Sequence, residues 1–326
     1  MTRTWWTWAR LLGGVAILAV LLWRLGTGPF LNALGRIDGW SLAAVVGITL
    51  LTTVCCAWRW SLVADGLGVG VPMPVAVAAY YRSQFLNSTL PGGVLGDVHR
   101  GVRHGRDVGD VGRGLRAVAW ERVAGQFVQA VLTVLLLLVL PSPVRSAMPI
   151  VAAAVLTGAA GIVLLIRALL GGPSHWARIV RAATSDVRDG LMARRAWPGV
   201  VLASAVVVAG HTATFLIAAR AAGSTASTAR LLPLALLVLL AMSVPTNIAG
   251  WGPREGVAAW AFGVAGLGAA LGVTTAVVYG VMALVASLPG GAVMIAARAR
   301  RNTAGRARPA EGRLPATVGV QGPAHG

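Results

Sequence analysis

Two stretches of this chain interrupt apolar runs with the same spacing. The first reads Pro91-Gly92-Gly93-Val94-Leu95-Gly96-Asp97-Val98-His99-Arg100. The second reads Pro245-Thr246-Asn247-Ile248-Ala249-Gly250-Trp251-Gly252-Pro253-Arg254. Each sets a glycine five residues and an arginine nine residues after a proline, with Asn87 or Asn247 close by. Proline ends a helix and glycine lets the backbone turn. Pro91, Gly92, Gly93, Gly96, Pro245, Gly250 and Gly252 are therefore expected to break helices and aim their ends inward. Arginine beyond such a break suits phosphate, because its planar fork makes two parallel charge-assisted hydrogen bonds.

The candidate phosphate ligands are Arg82, Arg100, Arg122 and Arg254, with Asn87 and Asn247 beside them and Glu121 and Glu255 balancing charge. Glu121-Arg122 and Arg254-Glu255 lie at the edge of apolar runs or inside them, where ionisable groups are costly and turn toward the interior of a bundle. Structural ion pairing is the competing role. Neighbours on a helix seldom pair with each other, so a cross-pair such as Glu121 with Arg254 is one expectation. Arg103, Arg106, Arg113 and Arg116 read as loop charges that hold topology.

Other chemistries find little support. The five histidines show no metal-ligand spacing, and His211 alone in an apolar run reads as a helix-contact residue. Cys55 and Cys56 are adjacent, which disfavours a disulfide between them, and they read as small hydrophobes. A Gly-x4-Gly-Lys-Ser/Thr loop is impossible in a chain without lysine. No catalytic constellation, cofactor site or metal site is expected, so the chain is read as a non-enzyme.

The elements that must position these residues follow from composition. Of 326 residues 56% are hydrophobic and only 12% charged, more apolar surface than a soluble protein can hide. The apolar residues fall into blocks of roughly 17–25, enough to cross about 30 Å of hydrocarbon. The expectation is an all-α polytopic helical bundle with about eight spans and one or two re-entrant Gly/Pro-interrupted segments. Spans are expected near 11–23, 40–58, 117–140, 148–169 and 198–222, with further apolar runs at 231–244, 257–271 and 273–297. Residues 72–92, moderately apolar but holding Tyr80, Tyr81, Arg82, Gln84 and Asn87, read as a re-entrant or interfacial hairpin.

A single membrane domain is expected over 1–297, with pseudo-repeats near 10–170 and 198–297 and a disordered basic tail over 298–326. The net charge of +18 follows the positive-inside pattern, being concentrated in residues 59–116, 171–197 and the tail. That placement puts the basic loops and C-terminus in the cytoplasm. No nucleic-acid motif accompanies the charge.

These segments resemble a known family. Asn87-x3-Pro91-Gly92-Gly93-x2-Gly96-Asp97-x2-Arg100, the Glu121-Arg122 pair and Pro245-x4-Gly250-x-Gly252-x-Arg254-Glu255-Gly256 are similar to the membrane domain of lysylphosphatidylglycerol synthases. The likeness spans roughly residues 10–297. Ala249, Pro253 and Gly125 depart from it, the last standing where an acidic residue is common. The resemblance implies a plasma-membrane protein that lacks the soluble synthase domain and handles lipid. Its implied role is flippase-like translocation of an anionic or aminoacylated phospholipid or a polyprenyl-phosphate-linked lipid. The alternative is a non-catalytic scaffold for a membrane-associated synthase or glycosyltransferase. A polytopic glycosyltransferase itself is disfavoured, because Asp38 is the one carboxylate in the expected outer loops.

Overall fold

Long apolar segments satisfy their backbone in lipid by becoming helices. The computed structural model describes residues 37–90, 93–140, 144–147, 175–193, 196–243 and 253–306, with isolated positions 35, 157, 161 and 164, and its ordered elements are helical. Helix α1 (Gly39–Gly66) opens at Asp38, whose side chain accepts a hydrogen bond from the Ser41 N–H at 2.7 Å. Helix α2 (Met73–Thr89) carries Pro74 in its first turn, where no N–H partner is lost. After a turn come α3 (Leu95–Asp107) and α4 (Val111–Val139), the latter capped by Asp110. The chain continues through α5 (His175–Asp186), a wide turn at Val187–Leu191, α6 (Trp197–Ala221), α7 (Thr228–Met242), α8 (Pro253–Val264) and α9 (Ala269–Arg306).

Among the described residues, four helices are long and apolar enough to cross a membrane: α1, α4, α6 and the first 27 residues of α9. Eight such crossings were expected. The segments expected at 11–23 and over most of 148–169 lie outside the described residues. Helices α7 and α8, with 15 and 12 residues, are shorter than the roughly 20 a crossing needs. Large apolar side chains such as Phe127, Leu135, Leu202 and Leu288 face outward, as lipid contact requires.

Several boundaries differ from expectation. The helix expected to end before Arg59 runs to Gly66, because Trp60, Val63 and Ala64 continue its buried face. Helix α4 starts six residues earlier than expected, which moves Glu121 and Arg122 well inside it. Residues 73–89 form one uninterrupted helix. The last two apolar runs divide at Gly266 and Gly268, whose φ values of 72° and 90° favour glycine. Helix α9 continues to Arg306, into the segment expected to be a tail.

One order of elements occurs twice: long, short, short, long. It is followed by α1–α4, of 28, 17, 13 and 29 residues, and by α6–α9, of 25, 15, 12 and 38. Each proline–glycine break falls between the two short helices. The first unit packs around Cys56, Trp60, Ala76, Tyr80 and Ala117, the second around Phe215, Leu234, Phe262, Tyr279 and Met282. The units join where α1 lies along α6 and α9 lies along α2. Glycines permit both contacts: a Cβ at Gly210 would strike Thr52, and one at Gly290 would strike the Tyr81 carbonyl.

Candidate functional site

The first break is locked by its own side chains. Gly93 turns the chain with φ 62°, and Gly96 brings α3 so close to α2 that a Cβ there would overlap the Ser83 carbonyl oxygen. The Gly96 N–H donates to Asn87 Oδ1 at 2.8 Å. Asn87 Nδ2 donates to Asp97 Oδ2 at 3.0 Å, and the Ser83 hydroxyl donates to Asp97 Oδ1 at 2.8 Å. Asp97 thus sits in the first turn of α3, favoured by the helix dipole, and faces two guanidiniums. Arg122 Nη2 lies 2.6 Å from its Oδ2 and Arg100 Nη2 lies 3.1 Å from its Oδ1. Burial pushes this carboxyl up, but Arg122 and Arg100 outweigh burial and hold it at about 2.

Glu121 is fully buried behind this lock. Its Oε1 accepts from Arg59 Nε at 2.9 Å, Arg59 Nη2 at 2.5 Å and the Tyr80 hydroxyl at 3.1 Å. Its Oε2 accepts from Arg100 Nη2 at 3.0 Å. The Arg100 guanidinium lies 4.5 Å from the Trp60 ring centre and 4.1 Å from that of Tyr80. Three arginines, Arg59, Arg100 and Arg122, therefore share two carboxylates, Asp97 and Glu121.

At the second break, Arg254 Nε and Nη2 reach Glu255 Oε1 at 2.8 and 2.6 Å. The expected cross-pair of Glu121 with Arg254 is replaced by this neighbour contact, since both Glu121 oxygens already hold partners from α1, α2 and α3. Both residues sit in the first turn of α8. Gly280 leaves room for the Arg254 guanidinium, which lies 5.6 Å from the Tyr279 ring centre. The Tyr279 hydroxyl and His211 Nδ1 are 3.2 Å apart.

A cavity of about 340 Å³ opens between the two units. Arg59, Arg122 and Arg254 line it, together with amides and hydroxyls from α1, α2, α4, α6 and α9. The Arg122 side chain is 40% exposed, whereas Glu121 and Glu255 are sealed behind the arginines. Of the residues singled out in sequence, Asn87, Gly93, Arg122 and Arg254 line the cavity. Arg100 does not, being enclosed by Trp60 and Tyr80, and Arg82 is buried on α2 away from the lining. Pro91, Gly92, Pro245, Asn247, Gly250 and Gly252 lie outside the described residues.

Sequence reasoning passed over Arg59, Tyr80, Gln84, Gln126, Gln129 and His211 as site residues. A signal was present. Thr52, Cys56 and Arg59 on α1, Tyr80, Gln84 and Asn87 on α2, and Arg122, Gln126 and Gln129 on α4 each form a polar stripe at helical spacing. Arg59 has apolar residues on both sides in sequence, so it was never a loop charge. Gly125 also finds its reason, because a side chain there would collide with the Arg59 guanidinium.

No curated protein and no solved structure matches the chain. The family model described as Lysylphosphatidylglycerol synthase TM region matches residues 8–290, a range that takes in the first repeat, the second as far as the middle of α9, and every side chain of the cavity. The protein is a multi-pass helical membrane protein and belongs to the lysylphosphatidylglycerol synthase TM region family.

Proposed function

We propose that this protein binds the phosphate of a lipid headgroup between its two repeats and passes that lipid from one leaflet to the other. One observation carries the reading. The cavity sits where the repeats meet and is lined by arginines, with the partly exposed Arg122 on the first unit and Arg254 on the second. Interrupted helices in corresponding positions of two repeats are where transporters place their substrate sites. Around Asp97 and Glu121 the named arginines exceed the carboxylates by one, so a further anion is favoured there. The outward faces of the long helices are apolar, which lets a headgroup enter the bundle while its acyl chains stay in lipid.

Arg122 and Arg254 would hold the phosphate by charge-assisted hydrogen bonds, while Glu121 keeps Arg59 and Arg100 in place behind them. Rocking of one repeat against the other would open the cavity to each side in turn. The sequence has no lysine and so no Gly-x4-Gly-Lys-Ser/Thr loop, and the proposal includes no ATP hydrolysis by such a loop. In this reading the basic loops and the C-terminus would face the cytoplasmic side of the plasma membrane, as the positive-inside bias of the arginines expects.

The deciding experiment reconstitutes the protein in vesicles containing fluorescent phosphatidylglycerol or a polyprenyl-phosphate sugar and follows loss of leaflet asymmetry. Exchange by the wild type that Arg122→Gln and Arg254→Gln abolish, with insertion intact, supports the proposal. Exchange unaffected by both substitutions removes the site assignment. No exchange of either lipid by folded wild type would turn the interpretation to a scaffold for a lipid-modifying enzyme.

A further inference from the structure

We infer that the headgroup carried here is a phosphate bearing hydroxyl groups and no ammonium, so that aminoacylated lipids are refused. The inference rests on the reading of the cavity as a lipid site and concerns which lipid enters it. Its basis is where the chain keeps its negative charge. Only ten side-chain carboxylates exist in the sequence, and nine of them are among the described residues, the tenth being Glu311.

None of the nine lines the cavity. Asp38 and Asp110 cap helices, and Asp186 binds Arg116 at 2.8 Å and accepts from Trp120 Nε1 at 3.1 Å. Asp65, Asp107 and Asp189 are exposed near helix ends. Asp97, Glu121 and Glu255 are turned onto arginines and buried. Segments outside the described residues between 1 and 306 contain no aspartate or glutamate, so they bring no carboxylate to the cavity.

An ammonium taken out of water needs an opposite charge or the face of an aromatic ring. The first is missing from the lining. Both tyrosines of the lining, Tyr80 and Tyr279, already hold arginines, Arg100 at 4.1 Å and Arg254 at 5.6 Å from the ring centres. A lysyl or other amine headgroup would instead meet Arg59, Arg122 and Arg254, and like charges at close range reject a ligand. What remains of the polar lining is neutral, including Gln84, Gln126, Gln129, Thr49, Thr214 and Ser287. Amides and hydroxyls both donate and accept, which matches the hydroxyls of glycerol or a sugar beside the phosphate.

The test compares three fluorescent lipids in wild-type vesicles: phosphatidylglycerol, its lysyl ester and a polyprenyl-phosphate sugar. Exchange of either anionic lipid at least about tenfold faster than the lysyl ester supports the inference, and the lipid that moves identifies the source of the phosphate. Equal exchange of phosphatidylglycerol and its lysyl ester overturns the inference while leaving lipid translocation in place. No exchange of any of the three overturns both. A second variant isolates the missing carboxylate. Gln84→Glu keeps the size of the side chain and the Oε1 that accepts from Thr53 Oγ1 at 2.9 Å, and adds a negative charge to the lining. It should narrow the preference against the lysyl ester by about tenfold. A folded Gln84→Glu protein that still moves phosphatidylglycerol with an unchanged preference would also overturn the inference.

Discussion

Arg59 of α1 and Glu121 of α4, 62 residues apart in sequence, hold each other inside the bundle through two hydrogen bonds of 2.9 and 2.5 Å to one carboxylate oxygen. Both side chains are almost wholly removed from solvent. Neither is tolerable there alone, because an unpaired charge at low dielectric loses its hydration without recompense. The pair therefore fixes how α1 meets α4, and through the second Glu121 oxygen it also fixes α3.

Glu121→Gln keeps the shape and removes the charge that Arg59 and Arg100 both need. Breaking one side of a buried pair costs about 3–5 kcal/mol, so the variant should unfold well below the wild type in detergent. Thermal unfolding followed by tryptophan fluorescence would show it. A melting temperature equal to that of the wild type would contradict the assigned role.

Arg100 and Arg122 should separate folding from activity. Arg100 is buried between two rings and touches both Asp97 and Glu121, so Arg100→Gln should lower folded yield. Arg122 is two-fifths exposed in the cavity, so Arg122→Gln should fold and lose lipid exchange. Size-exclusion profiles and vesicle exchange, measured on the same preparations, would reveal the split. Loss of exchange in a fully folded Arg100→Gln protein, with normal exchange by Arg122→Gln, would reverse the two roles.

Gly96→Ala sets a methyl group against the Ser83 backbone carbonyl, which no rotamer change can relieve. Overpacking of this kind costs about 1–3 kcal/mol and should also weaken the Asn87 and Asp97 hydrogen bonds that close the break. Gly280→Ala differs in kind. Its methyl meets the movable guanidinium of Arg254, so stability should hold while lipid exchange falls by roughly tenfold or more, as small misplacements at a site do.

Acid should loosen the first break. Asp97 titrates near 3.9 in the unfolded chain and at about 2 when folded. A folded-state value below the unfolded one gives stability that is complete above about pH 4 and is lost as pH falls toward 2. The wild-type melting temperature should therefore drop across that window. Asp97→Asn, less stable at neutral pH, should show a flatter profile there, and an equally steep profile would assign the slope to another carboxylate.

Much of the architecture was legible in residue order. Four runs with too few charges for water become the four long helices, and their limits agree with expectation to within a few residues at α6. Of the paired breaks, residues 91–92 and 244–252 lie outside the described residues. The described part of the first, from Gly93 to Gly96, turns between α2 and α3 because glycine acts through local backbone geometry. Helix ends near Arg59 and Ala117 were misjudged because a charged residue was taken to mark an interface. Hydropathy counts the charge but not the partner that neutralises it.

Residue order by itself established the membrane class, the twofold spacing of Pro, Gly and Arg, and the supply of 28 arginines against ten carboxylates, because these depend on composition and local backbone preference alone. Only the tertiary structure decided which arginines face the cavity. Arg100 and Arg254 hold matching places in their breaks, yet the first is sealed between Trp60 and Tyr80 while the second lines the cavity. Whether a buried charge is bound or available depends on which faces of distant helices meet around it, and spacing along one helix carries no record of that.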